Sequence, residues 1–173
     1  SSRKDYKYSP YKKTKGYQIL KETKLLHQKR KDLSRIQIIE FSILFIILNY
    51  LDIASKKLED LSEIEFLSEK NESLKKEIST NIIEGDDKEA INKKINNSYD
   101  KIIKEINENS NIQIIVKNKN DDEILNLLDE LIKDHKEQSN LRKIESLEQK
   151  LINNLDENSY SELIKLKSQL NRD

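Results

Sequence analysis

IQIIEFSILFIILNYLDIA, residues 36–54, is the stretch whose reading decides the fold. Its centre, Phe41 to Leu48, carries no charge, so it suits either a bilayer span or the middle helix of a packed core. A spanning helix needs about 20 mostly apolar residues. Extending this run that far takes in Glu40, Asn49 and Asp52, and a carboxylate in the central zone costs about 3 kcal/mol on insertion. A helix apolar on all sides is also what the interior of a helical bundle demands. The run is therefore expected to be a core helix, with a membrane segment and a partner-binding face as alternatives.

The pattern continues on both sides. Ser34 and Gln37 have capping-box spacing, with Leu33 and Ile38 at the staple positions. Downstream, Leu58 and Leu61 prolong an amphipathic pattern. Ser62 and Glu65 form a second capping box, stapled by Leu61 and Phe66, which predicts a helix over 63–82 carrying Phe66, Leu67, Leu74 and Ile78. Gly85 is a candidate left-handed cap, and Asp86 with Glu89 is read as opening the next helix. That helix shows Ile91, Ile95, Tyr99, Ile102 and Ile106 at spacings of three and four. The β-branched run 112–116 reads as a helical turn or an irregular loop. Asn120 with Glu123 caps a helix that runs from Ile124 towards Leu155, as one long element or two in series. Asp156 to Ser159 interrupts the pattern, and Ser159 with Glu162 opens a short last helix with Leu163, Ile164 and Leu170. No fixed-length repeat aligns, and the a/d spacing is not sustained over four heptads, which argues against a coiled coil. The expected fold is all-α: an antiparallel bundle of about five to six helices over residues 17–173, with a flexible basic arm at 1–16.

The residues that arm an active site are scarce. The chain has 173 residues with two glycines, one proline, two histidines and no cysteine, methionine or tryptophan. There is no thiolate for a metal or a nucleophile, and two glycines cannot build a phosphate-cradling loop. No serine stands in a G-x-S-x-G elbow. His27 and His135 lie in no metal-ligand spacing; His135, at the edge of the Leu131/Ile132 stripe, is expected to be packed and half-exposed. Carboxylates such as Glu130 and Asp134 are four apart by the density of acids alone. No catalytic, metal-binding or cofactor-binding residue is assigned, and a non-enzymatic protein is expected. The glycosylation-like triplets at Asn71 and Asn96 fall inside expected helices and are set aside.

Charge is distributed unevenly. Residues 1–35 hold 12 Lys/Arg against 3 Asp/Glu, about +9, so the remainder carries about −9 in a chain that sums to zero. In the arm Tyr6, Tyr8, Tyr11 and Tyr17 alternate with Lys4, Lys7, Lys12, Lys13 and Lys15, and Lys29, Arg30 and Lys31 extend the basic character. These lysines and arginines are the candidate polyanion-binding residues: ammonium groups neutralise phosphates while tyrosines stack on unpaired bases. A soluble tether is the competing reading. The chain opens Ser1-Ser2 without methionine, which suggests a processed or trimmed product.

This layout resembles the helical outer-surface lipoproteins of Borrelia-type spirochaetes. The features that carry it are the polar tether Ser1 to Gly16, the missing initiator methionine, and Lys/Asn/Ile-rich helices such as Ile91 to Asn107. The resemblance implies a cell-surface protein anchored to the outer membrane through a removed N-terminal lipidated leader. It would act as an adhesin or immune-evasion protein that binds a host protein, or a glycosaminoglycan, without a cofactor. The alternative is a cytoplasmic protein that binds nucleic acid or another polyanion through its arm.

Overall fold

The computed structural model describes residues 34–109, 111–153 and 157–170. Among them there are helices and no strands, in the order α1 (Arg35–Asn49), α2 (Leu51–Lys56), α3 (Leu58–Glu63), α4 (Glu69–Ile83), α5 (Lys88–Asn109), α6 (Ile112–Val116), α7 (Asp121–Asn153) and α8 (Glu157–Leu170). The fold is all-α, as expected.

Helix α1 is the hub. It opens at Ser34, whose N–H and hydroxyl both donate to Gln37 Oε1, at 2.9 and 3.0 Å. Ile43, Leu44, Ile46 and Ile47 are fully buried, and α2, α4, α5, α6 and α7 all pack against the helix. The apolar run is broken at Tyr50, whose backbone (φ −128°, ψ 69°) leaves the helical region; α2 restarts with Ile53 and Ala54 donating back to the Tyr50 carbonyl. The core reading of 36–54 holds, and no helix among the described residues is long and apolar enough to cross a membrane.

Helix α4 ends in a Schellman motif. Asp86 N–H donates to the Asn81 carbonyl at 3.0 Å and Gly85 N–H to Ile82 at 3.1 Å, with Gly85 at φ +83°. The glycine is needed there because an L side chain is strained at that angle. One residue of the sequence reading shifts: Asp87, rather than Asp86, caps α5, its Oδ1 accepting from Ala90 N–H at 2.8 Å. Asp86 turns instead to Lys94. The isoleucine stripe of α5 is buried at Ile91, Ile95 and Ile106, with Tyr99 and Ile102 packed beside it. Residues 112–116 are helical, burying Ile112 and Val116.

Helix α7 is one 33-residue element, roughly 50 Å long. Its start carries the expected reciprocal cap: Asn120 N–H donates to Glu123 Oε2 and Glu123 N–H to Asn120 Oδ1, both at 2.9 Å. Its first half contributes Ile124, Leu128 and Ile132 to the main core. Its second half holds α8 through a separate cluster of Ile144, Leu147 and Leu163, flanked by Leu151 and Leu166. At roughly 100° per residue, the row Ile124/Leu128/Ile132 and the row Ile144/Leu147/Leu151 are centred about 130° apart, so the buried side of α7 swings by about a third of a turn along its length. That swing is why no sustained heptad shows in the sequence. Helix α8 begins at Glu157, so Ser159 lies inside its first turn instead of opening it.

Candidate functional site

The expected helix over 63–82 forms only from Glu69 onward, as α4. Ser62 remains inside α3, its hydroxyl donating to the Glu59 carbonyl at 2.6 Å, and residues 64–68 are non-helical before α4 starts at Glu69. Ile64 and Phe66 are buried in this segment, so its backbone amides must find partners away from water. Charged side chains from two helices supply them. Leu67 N–H donates to Glu40 Oε1 at 2.6 Å and Phe66 N–H to Glu72 Oε2 at 2.9 Å. The Lys75 ammonium donates to the Ile64 carbonyl, lies 3.0 Å from Glu72 Oε2, and sits 4.9 Å from the centroid of the Phe66 ring. Asn71 Nδ2 donates to the second Glu40 oxygen at 3.1 Å. Tertiary bonds outcompete the local capping box: they satisfy the segment's backbone while letting Phe66 enter the core.

The Glu72 carboxyl feels opposing influences. Burial pushes its pKa up, but the Phe66 N–H and the Lys75 and Lys76 ammoniums outweigh that and hold it below the ordinary 4.5. A carboxylate depressed in the folded state contributes stability above its unfolded pKa and loses it as pH falls through the folded value. Glu72→Gln should therefore cost about 1–2 kcal/mol at neutral pH. It should also flatten the acid limb of stability below pH 4.5. Urea unfolding across pH 3–7 measures both.

His135 closes the cluster. The sequence placed it half-exposed, but it is 1% exposed, because Phe66 and Glu40, from segments remote in sequence, cover a face that helical periodicity leaves open. Its Nε2 lies 3.5 Å from Glu40 Oε1 without a hydrogen bond between them, and neither ring nitrogen has a protein partner. The ring packs on Phe66 at 5.3 Å between centroids.

Beside this cluster lies a cleft of about 620 Å³, bounded by residues 63–67 on one side and by α7 on the other. His135, Lys136, Ser139, Asn140 and Lys143 line the α7 wall. Lys136 is paired with Glu63 at 2.6 Å. Ser139, Asn140 and Lys143 make no hydrogen bond or ion pair with the described residues. A smaller cleft of about 360 Å³ gathers Asp52, Asp86, Asp87 and Asp121 near Lys88, but no group of three or more potential metal ligands is arranged to hold an ion among the described residues.

A second surface feature is the α7–α8 hairpin. Beyond its inner cluster it exposes Ile152, Tyr160 and Ile164, at 76%, 54% and 51%, together with Leu141. Leu141 and Ile152 are eleven residues apart, about three turns, and Tyr160 and Ile164 are four apart, so each pair lines one side of its helix. Both rows are offset in the same rotational sense from the inner rows Ile144/Leu147 and Leu163/Leu166. In an antiparallel pair that puts them on one broad side of the hairpin. The Glu148–Lys167 pair at 2.7 Å lies across the hairpin beside this patch.

The candidate polyanion-binding residues Lys4, Lys7, Lys12, Lys13, Lys15, Lys29, Arg30 and Lys31, and His27, lie outside the described residues. Sequence reading passed over Glu40, Asn71, Glu72 and Lys75. One signal was present: Glu40 interrupts an otherwise apolar run, and a carboxylate in a core helix must be met by donors. No family model, curated protein or solved structure matches the chain.

Proposed function

We propose that this chain is a non-enzymatic interaction protein that recognises a partner protein through the exposed side of its α7–α8 hairpin. The observation that carries the reading is the row Ile152, Tyr160 and Ile164, set apart from the main core on a two-helix projection. An aromatic flanked by aliphatic side chains is the composition of an interface anchor. The flanking Glu148–Lys167 pair is self-neutralised, so the partner surface that fits is apolar at its centre with a polar rim. The layout of tether and bundle supports a cell-surface setting, with attachment to the outer membrane through an N-terminal anchor and a host protein as the partner.

The test is binding of the full chain to a panel of purified plasma and extracellular-matrix proteins. The expected result is binding of at least one of them, retained when residues 1–16 are deleted and little changed between 50 and 300 mM salt. It should weaken tenfold or more in Ile152→Asp and in Ile164→Asp, as for a hydrophobic anchor. The basic arm motivates the competing reading. Binding confined to heparin or nucleic acid, falling steeply with salt and lost with residues 1–16, would replace the protein-recognition reading with polyanion binding.

A further inference from the structure

We propose that the cleft between residues 63–67 and the 135–143 side of α7 captures a peptide C-terminus: an α-carboxylate preceded by an amide N–H, on apolar residues. The site is separate from the hairpin face. Four observations converge on it.

Lys136, Ser139, Asn140 and Lys143 follow one another at i, i+3, i+4 and i+7, a single stripe along the helix. All four side chains carry hydrogen-bond donors. Three have no partner among the described residues, while Lys136 is held by Glu63. Lys143 is thus the uncommitted cation at the outer end of the stripe, with Ser139 and Asn140 beside it to donate to carboxylate oxygens.

At the inner end His135 is buried with both ring nitrogens lacking a hydrogen bond. Leaving a buried polar atom unsatisfied costs about 1–3 kcal/mol, and a bound group that completes it recovers that cost. Both nitrogens lack a partner, and a ring nitrogen that carries no proton accepts from an N–H, so an amide N–H of the ligand supplies one of the missing bonds.

The span between these ends fits a short piece of extended chain. From residue 135 to residues 140–143 the helix rises roughly 8–12 Å, and an extended peptide covers about 3.4 Å per residue. An N–H at His135 and a carboxylate at Asn140–Lys143 are therefore two or three residues apart. The opposite wall offers the half-exposed Leu67 to an apolar side chain, with the buried Ile64 and Phe66 beneath it.

Charge narrows the class. Lys143 has no described partner and matches one carboxylate; with Glu63 and Glu65 on the facing lip, the further charges of a phosphate or sulfate polymer would go unmatched. Terminal carboxylates are captured elsewhere by nests of backbone N–H groups; here side-chain donors on α7 take that place.

The experiment is NMR titration of the isotope-labelled full chain with acetyl-Gly-Ala-Ala-Leu-Val as the free acid, the same peptide amidated at its C-terminus, and acetyl-valine. The free acid is expected to shift the amides of 64–67 and 135–143 and the His135 ring signals saturably. Amidation should weaken it about tenfold or more. Lys143→Glu, at an exposed position that leaves the fold intact, should weaken the free acid by a similar factor, whereas Lys101→Glu on α5 should not. Acetyl-valine carries its N–H and carboxylate on one residue and is expected to bind at least tenfold more weakly; binding as tight as the pentapeptide's would overturn the two-ended span. The proposal is overturned if acid and amide are indistinguishable, if shifts scatter over other lysine-bearing surfaces, or if nothing saturates by a concentration on the order of 5 mM. Because Ile152 and Ile164 line no part of this cleft, its failure leaves the hairpin reading standing.

Discussion

Glu40→Ala is expected to lower the free energy of unfolding by about 3–5 kcal/mol, the range seen when one member of a buried charged network is removed. The carboxylate is fully buried and accepts from Leu67 N–H and Asn71 Nδ2. Alanine strands both donors, leaves a void and takes away the carboxylate 3.5 Å from His135 Nε2. Domains of this kind are stable by about 5–15 kcal/mol, so the change should remove a third or more of the margin. Urea unfolding followed by circular dichroism gives the number. Glu40→Gln, which keeps the shape and one acceptor, should cost less than half as much. A loss under about 1 kcal/mol for the alanine variant would mean that water can take over the 64–68 backbone, and the account of that segment given above would fail.

Leu44→Ala should cost about 3–5 kcal/mol, because Leu44 is fully enclosed at the centre of α1 and the surrounding helices cannot collapse onto the void. Leu163→Ala removes the same atoms from the small cluster between α7 and α8, where solvent is close and the wall can move inward. About 1–2 kcal/mol is expected there, at the low end of such substitutions. Hydrogen exchange distinguishes the two. Leu163→Ala should speed exchange in 157–170 and leave α5 protected, whereas Leu44→Ala should speed exchange in both. Equal losses, with both regions opening together, would show that the two apolar clusters unfold as one cooperative unit.

Where local chemistry was decisive, the sequence was readable. The Asn120/Glu123 cap, the left-handed Gly85 and the isoleucine stripe of α5 each depend on residues within one or two turns of one another, and each formed where the spacing placed it. The second capping box failed for a reason equally specific. Ser62 and Glu65 had the right spacing, but Phe66 gains more from burial than the cap would supply, and Glu40 and Glu72 were available to take the freed amides. Lys75 shows the same effect: a lysine beside Leu74 reads as exposed, yet its ammonium is buried against the Ile64 carbonyl, Glu72 and Phe66.

The candidate sites were less legible than the fold. His135 looked like a stripe-edge residue because its covering groups are far away in sequence, Phe66 in the 64–68 segment and Glu40 in α1. The hairpin face was not legible because the buried side of α7 swings by about a third of a turn between its two packing partners, which blurs the single stripe that a periodicity argument seeks.

The sequence by itself determined that the described chain is helical and which run lies at its centre, since helical periodicity, caps and breaking residues act over a few residues and need no knowledge of what packs where. Only the tertiary structure decided that a lone glutamate in the central helix holds a non-helical segment in place, that a histidine is shut away without a partner, and that apolar side chains remain on one side of the last hairpin. Those outcomes rest on contacts between segments tens of residues apart, whose energies depend on mutual burial and alignment rather than on local spacing.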